Sequence, residues 1–155
     1  MLRYLLMCCL LFVTTLDIHG VLSFSPLPEG VGVGVRTLQS PLPPGQHDLS
    51  LEHDGLTRNF RVYVPENLPP TPVPLAIIMH GAGGDGAGME RMTRFDDLAA
   101  AYSFIVVYPD GINTIWNDGR LGDSRVPTEL DDVGFLSAMI DLLAARLPVD
   151  TARVY

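Results

Sequence analysis

Lysine is absent from the 155-residue sequence: all ten basic residues are arginine, set against 18 acidic residues and a formal net charge of −8. The phosphate-binding loop G-x-x-x-x-G-K-[ST] needs a lysine, so it is excluded. No G-x-G-x-x-G is followed by an acidic residue at the spacing of dinucleotide-binding proteins. An acidic chain without a basic run is also a poor candidate for binding nucleic acid or anionic lipid. We therefore predict no nucleic-acid partner and no cofactor.

Cysteine is nearly absent as well. The only two cysteines, Cys8 and Cys9, lie close to the N-terminus. Arg3 precedes a largely apolar stretch at residues 4–16, which suits the core of a signal peptide and is too short for a stable membrane span. We expect cleavage after Ser23 and export, to the periplasm or outside the cell; a short buried helix is the alternative. The mature chain would then have no disulfide, no cysteine–metal site and no thiol nucleophile.

Composition divides the chain into three parts. Residues 1–23 are the predicted signal peptide. Residues 24–45 are predicted to be a linker, since five prolines and four glycines fall in its last twenty positions. Residues 46–155 are predicted to form a partial α/β domain, and an overall hydrophobic content of 47% suits a globular core.

The predicted domain begins with a β-hairpin. Asp54-Gly55 is a tight-turn pair, and the apolar residues Phe60, Val62 and Val64 alternate with polar or amphipathic neighbours. Alternation of this kind places one face of the second strand on a core.

Strand and helix patterns alternate after the hairpin. Continuous apolar runs at 75–79 and 104–108 predict buried strands, and a further strand begins at 152. Apolar residues at steps of three and four predict helices over 89–102 and 133–147. The order predicts the α/β class, with an antiparallel hairpin followed by parallel strands and helices on both faces of the sheet.

A glycine-rich loop, HGAGG at residues 80–84, follows the first buried strand. Ligands of open α/β sheets bind at such carboxyl ends of strands. Since phosphate binding is disfavoured, the loop is interpreted as an oxyanion hole, in which backbone N–H groups stabilise the oxygen of an ester as it becomes negative.

Several segments in order resemble one family: FRVYVP, LAIIMHGAGG, FDDLAAAYSFIVVYPDG, Trp116, DDVGFLSAMIDLL and VDTARVY. The chain resembles the secreted α/β-hydrolase esterases of the polyhydroxybutyrate depolymerase and feruloyl esterase group, carbohydrate esterase family 1, over residues 58–155. The resemblance implies that the glycine loop supplies an oxyanion-hole amide. The implied oxyanion-hole residues are Gly81, Ala82 and Gly83, with Ala82 the preferred donor, and the implied loop-support residues are His80 and Gly84.

The nucleophile elbow of that family, G-x-S-x-G, is not found in the sequence. In the family it follows the strand that matches ARVY, so we expect it beyond Tyr155, and with it the catalytic Ser, Asp and His. The chain is then the N-terminal half of a serine esterase, truncated before the nucleophile elbow and inactive alone. The expected substrate is a carboxylic ester, either a polyester or a feruloyl-type ester.

Other residues invite weaker interpretations. Trp116 could line an acyl or aromatic subsite, or could simply pack. His80 could act as a base, although loop support is favoured. The six acidic residues between Asp110 and Asp132 could suggest calcium, but their spacing matches no EF-hand, so we predict solvated charge with a helix cap and no metal site.

Two other functions stay open at this stage. The chain could be a non-catalytic secreted domain that binds a polymer or a partner through the Trp116 loop. It could also belong to a peptidase of the same fold, which would share the glycine loop and cleave peptides.

Overall fold

The computed structural model describes residues 40–119 and 130–155. The predicted signal peptide and the linker up to residue 39 lie outside these residues. The elements are β1 (Gly45–His53), β2 (Leu56–Val64), β3 (Val73–Ile77), α1 (Gly86–Thr93), α2 (Phe95–Tyr102), β4 (Ile105–Pro109), a 3₁₀ turn (Ile112–Thr114), α3 (Asp132–Arg146) and β5 (Val149–Val154). No helix within the described ranges is both long and apolar enough to cross a membrane.

The predicted hairpin is present as β1 and β2. Asp54 and Gly55 form its turn with φ values of 48° and 74°, the left-handed conformations that a two-residue hairpin turn of this kind requires. Packing begins before the strand, because Leu42 is buried in the core. The Nε of Arg146 also donates to the carbonyl oxygen of Ser40 over 3.2 Å. The last residues of the predicted linker therefore pack against the folded part.

The sheet has the strand order β1-β2-β4-β3-β5. Strand β2 is antiparallel to β4, whereas β3 is parallel to both β4 and β5. The carboxyl ends of β3, β4 and β5 consequently meet at one edge of the sheet. This arrangement confirms the predicted α/β class.

Each face of the sheet carries its own core. On one face, Ile105 and Val107 of β4 pack with α3. On the other face, Val106 and Tyr108 pack with Ala99 of α2. All five residues of β4 are buried, because period-two alternation sends its side chains into both layers.

The single helix predicted over 89–102 is wrong. Arg94 adopts a left-handed φ of 53° between α1 and α2, and its N–H donates to the carbonyl oxygen of Glu90 as a helix cap. Met92, near the end of α1, and Tyr102, at the end of α2, are 72% and 75% exposed, whereas Ala99 of α2 is completely buried.

One side of α3 faces the core. Val133 is 75% exposed, while Phe135, Met139 and Leu143 are completely buried. These three residues are spaced four positions apart, so they lie along one side of the helix.

Candidate active site

The candidate site lies where the parallel strands end. The glycine loop follows β3, which ends at Ile77, and a second segment, residues 110–117, follows β4, which ends at Pro109. Because β3 and β4 are parallel neighbours, the two segments leave the sheet side by side.

His80 joins these two segments. Its side chain is 4% exposed; its Nε2 accepts the Gly111 N–H over 2.9 Å, and its Nδ1 lies 2.8 Å from the carbonyl oxygen of Gly81. Since an amide can only donate, Nε2 is the acceptor, and the ring proton sits on Nδ1 and donates to Gly81. Both ring nitrogens are therefore used to hold the loop, and neither is free to act as a base.

Trp116 packs on the same histidine. Its indole N–H donates to the carbonyl oxygen of His80 over 2.9 Å, and the two ring centroids lie 5.0 Å apart. The indole also packs against the core on the α3 side of the sheet. Trp116 thus has a packing role, and it also lines an open cavity beside the glycine loop.

The amides of the glycine loop divide into two groups. Gly83 donates its N–H to the carbonyl oxygen of Thr114 over 2.8 Å, and Gly84 donates to Gly81 over 3.0 Å. Within the described residues, the N–H groups of Gly81 and Ala82 have no hydrogen-bond acceptor, and both residues are exposed. Of the three predicted oxyanion-hole residues, Gly81 and Ala82 therefore offer a free N–H, while that of Gly83 is occupied inside the protein.

Two open cavities flank Ala82. One, of about 330 Å³, is lined by Met79, Ile115 and Trp116 among others. The second, of about 410 Å³, continues along the loop to Met89 and Met92 on α1. Apolar side chains therefore stand on both sides of the free amides.

At two glycine positions, backbone atoms of other residues lie too close to leave room for a side chain. A Cβ on Gly86 would lie 2.5 Å from the carbonyl oxygen of Tyr108, and one on Gly111 would collide with the carbonyl oxygen of Ile115. Gly86 also donates its N–H to Oδ1 of Asp110 over 2.7 Å. These contacts bring the start of α1 and the end of β4 together below the glycine loop.

The two acidic residues at the start of α3 have different roles. Asp131 is the cap, because its Oδ1 accepts the Gly134 N–H over 2.8 Å. That backbone hydrogen bond, together with a hydrogen bond to the His53 side chain, lowers the pKa of Asp131. Asp132 instead forms a buried ion pair, in which the Nη2 of Arg58 lies 2.6 Å from its Oδ1.

Sequence reasoning missed this ion pair, although one signal was available. Arg58 has the same parity in β2 as Phe60, Val62 and Val64, so it must face the core. A charged residue in such a position requires a counter-charge.

The acidic residues from Asp110 to Asp132 do not converge on one point among the described residues. Asp110 accepts from Gly86, while Asp131 and Asp132 have the roles given above. The potential metal ligands that do converge are His53, Asp54 and Asp131, whose ligand atoms lie within 4.8 Å of one another. Asp131 is already engaged there as the cap of α3.

Solved structures with a similar fold include an esterase and an S-formylglutathione hydrolase. A thermostable esterase superposes with a TM-score of 0.57 and 18% identity over 71% of this chain and 33% of its own. An S-formylglutathione hydrolase from Agrobacterium tumefaciens gives a TM-score of 0.54 and 17% identity over 70% of this chain and 46% of its own. The chain therefore forms part of an α/β-hydrolase fold.

Related sequences carry esterase names. NocK of Nocardia uniformis subsp. tsuyamanensis, an inferred esterase, is 31% identical over 103 residues, which are 65% of this chain and 30% of NocK. Feruloyl esterase B of Neurospora crassa is 29% identical over 101 residues, which are 63% of this chain and 34% of that protein. The chain thus spans about a third of the length of these relatives. No protein-family model matches it.

Proposed function

We propose that this chain is the N-terminal part of a serine esterase and contributes the oxyanion hole to its active site. The observation that carries the proposal is the position of Tyr155. Its carbonyl oxygen accepts the Ile77 N–H over 2.7 Å, and its own N–H donates to Leu75 over 3.0 Å. A residue that follows Tyr155 therefore enters the sheet edge where the chain after Ile77 forms the glycine loop. A nucleophile elbow after β5 would stand beside the free amide of Ala82.

The proposed chemistry is acyl transfer in two steps. A serine beyond Tyr155 attacks the ester carbonyl while a histidine takes its proton, and the carbonyl oxygen becomes negative. The N–H of Ala82 stabilises that oxygen, a contribution typically about 2.7–4 kcal/mol for one donor. Collapse expels the alcohol, which takes the proton from the histidine. The histidine then deprotonates a water molecule that attacks the acyl-serine, and a second collapse releases the acid and returns the proton to the serine.

We propose a polyester or a feruloyl-type ester as substrate, as in polyhydroxybutyrate depolymerases and feruloyl esterases. The apolar cavity lined by Met79 and Trp116 suits an alkyl or aromatic acyl group. A related sequence named feruloyl esterase B supports the second choice. Export, directed by the predicted signal peptide at residues 1–23, would bring the enzyme to polymeric substrates outside the cell.

A fluorophosphonate probe tests the proposal, because it labels activated serines. We expect the 155-residue chain neither to be labelled nor to hydrolyse p-nitrophenyl butyrate. The gene read past codon 155 should contain an in-frame G-x-S-x-G directly after β5, and the longer product should be labelled at that serine.

The Ser→Ala variant of the longer product is the matched control and should not be labelled. Hydrolysis by the purified 155-residue chain would contradict a nucleophile beyond Tyr155. A stop codon after Tyr155 together with a stable secreted product that hydrolyses no ester would favour the non-catalytic binding domain. Hydrolysis of peptides and not esters by a longer product would favour the peptidase.

A further inference from the structure

The starting observation is the buried ion pair between Arg58 and Asp132. Their side chains are 1% and 6% exposed, and the Nη2–Oδ1 distance is 2.6 Å. The guanidinium also lies 4.0 Å from the ring centre of Phe135, and its Nε and Nη1 have no hydrogen-bond partner among the described residues. A buried ion pair often stabilises a fold no better than apolar residues of the same size, which favours a further role for this pair.

The second oxygen of Asp132 holds the segment after β4. Its Oδ2 accepts the backbone N–H of Asn117 over 2.6 Å, and the Asn117 side chain donates to the carbonyl oxygen of Leu130 over 2.8 Å. One carboxylate thus binds the core arginine with one oxygen and the Asn117 backbone with the other.

The residue before Asn117 is Trp116, whose indole N–H donates to the carbonyl oxygen of His80. His80 in turn accepts the Gly111 N–H and lies two residues before Ala82. A continuous line of contacts therefore runs from Arg58 to the glycine loop.

We propose that Asp132 is a positioning residue for the oxyanion hole. Its ionised carboxylate, held by Arg58, fixes Asn117, which seats Trp116 against His80 and so sets the glycine loop. This inference rests on the proposed function for its catalytic meaning, while the positioning itself can be measured in the 155-residue chain.

Both oxygens of Asp132 accept a hydrogen bond, one from the Arg58 guanidinium and one from the Asn117 N–H. Asparagine has the same shape but only one acceptor oxygen, and its NH₂ would face either Arg58 or the Asn117 N–H, donor against donor. Asp132→Asn therefore breaks one of the two contacts with little change in volume.

Trp116 is the only tryptophan in the sequence, so its fluorescence reports this segment alone. In the full chain, we expect Asp132→Asn to shift the emission to longer wavelength and to raise acrylamide quenching several-fold. Hydrogen exchange at the Gly83 and Gly84 amides, which are bonded within the site, should also become several-fold faster. The control is Asp141→Asn, the same substitution at an exposed position of α3. Its emission, quenching and hydrogen exchange should equal those of the unaltered chain.

A folded Asp132→Asn chain, by far-ultraviolet circular dichroism, with unchanged emission, quenching and exchange would overturn the proposal. If that variant does not fold, Asn117→Pro replaces it, because it removes the N–H donated to Asp132 and leaves Arg58 paired. The same shifts are then expected, and their absence in a folded chain is equally decisive. If the shifts occur but the longer gene product hydrolyses no ester, the positioning stands and the proposed function fails.

Discussion

The indole N–H of Trp116 donates to the backbone carbonyl oxygen of His80 across 2.9 Å, joining the segment after β4 to the loop after β3. The same histidine accepts the Gly111 N–H through its ring. The conformation of the glycine loop is therefore set by contacts to the neighbouring segment, in addition to its own sequence. This arrangement leads to predictions about stability and activity.

The first prediction concerns His80. His80→Ala leaves the part-buried Gly111 N–H without its acceptor, and a donor left unpaired inside a protein costs about 1–3 kcal/mol. We expect the free energy of unfolding, measured in urea by circular dichroism, to fall by about that amount. His47→Ala, which removes a surface contact to the carbonyl oxygen of Pro43, should cost clearly less. Equal losses in the two variants would show that the histidine does not hold the loop.

The second prediction compares two glycines. Gly86→Ala places a methyl group 2.5 Å from the Tyr108 carbonyl oxygen, whereas Gly81→Ala meets nothing within 4 Å. The first change forces backbone to move, and overpacking typically costs about 1–3 kcal/mol. Thermal unfolding should show a lower midpoint for Gly86→Ala and an almost unchanged one for Gly81→Ala. A reversed order would contradict the close approach of α1 to β4.

The third prediction uses the pKa of Asp96. Burial raises that pKa, and the hydrogen bond from the Tyr108 hydroxyl offsets part of the rise. A carboxyl whose pKa is higher in the folded state contributes stability below its unfolded pKa and loses that contribution as pH rises through the folded value. Asp96→Asn keeps an acceptor for Tyr108 and cannot ionise, so its stability relative to the unaltered chain should increase as pH rises from acidic to neutral.

Urea unfolding across that pH range measures this difference. Asp97→Asn changes an exposed neighbour paired with Arg94 and serves as the control. Parallel stability curves for Asp96→Asn and the unaltered chain would exclude a raised pKa at Asp96.

The fourth prediction concerns the Ala82 amide in a longer, active product. Ala82→Pro removes the N–H, and loss of one oxyanion donor lowers kcat by about 10²–10³-fold. Replacement of Ala82 by lactic acid through semisynthesis removes only the N–H and should give the same loss. Gly81→Ala keeps both amides and should retain most activity. An Ala82 variant with normal folding and full kcat would remove the proposed donor.

Local patterns were enough to predict much of the fold. The turn residues Asp54 and Gly55 predicted the hairpin, and two apolar runs predicted β3 and β4 to within two residues. The helix over 89–102 failed because nothing in the sequence marks Arg94 as left-handed: the break carries neither proline nor glycine. Both α1 and α2 pack against β4, and tertiary contacts of this kind leave no local sequence pattern.

The site was predictable only in part. The sequence has a buried strand followed by glycines, which predicted a loop at the sheet edge. The structure has the loop there, after β3. The N–H of Gly83 is bonded to Thr114, which lies 31 residues further along the chain. The ion pair between Arg58 and Asp132 joins residues 74 positions apart. Contacts over such separations leave no local pattern, although the parity of Arg58 marked a buried charge.

The hydrogen bonds between the two loop segments also define what could be exchanged between proteins of this fold. A graft of residues 80–84 alone would bring a histidine and glycines into a host that lacks matching partners. The donors at Gly111 and Trp116 and the acceptor at Thr114 would have to travel with them. For protein engineering, the transplantable unit is thus a pair of segments separated by two helices and a strand, and a change in either segment alone would disturb the other.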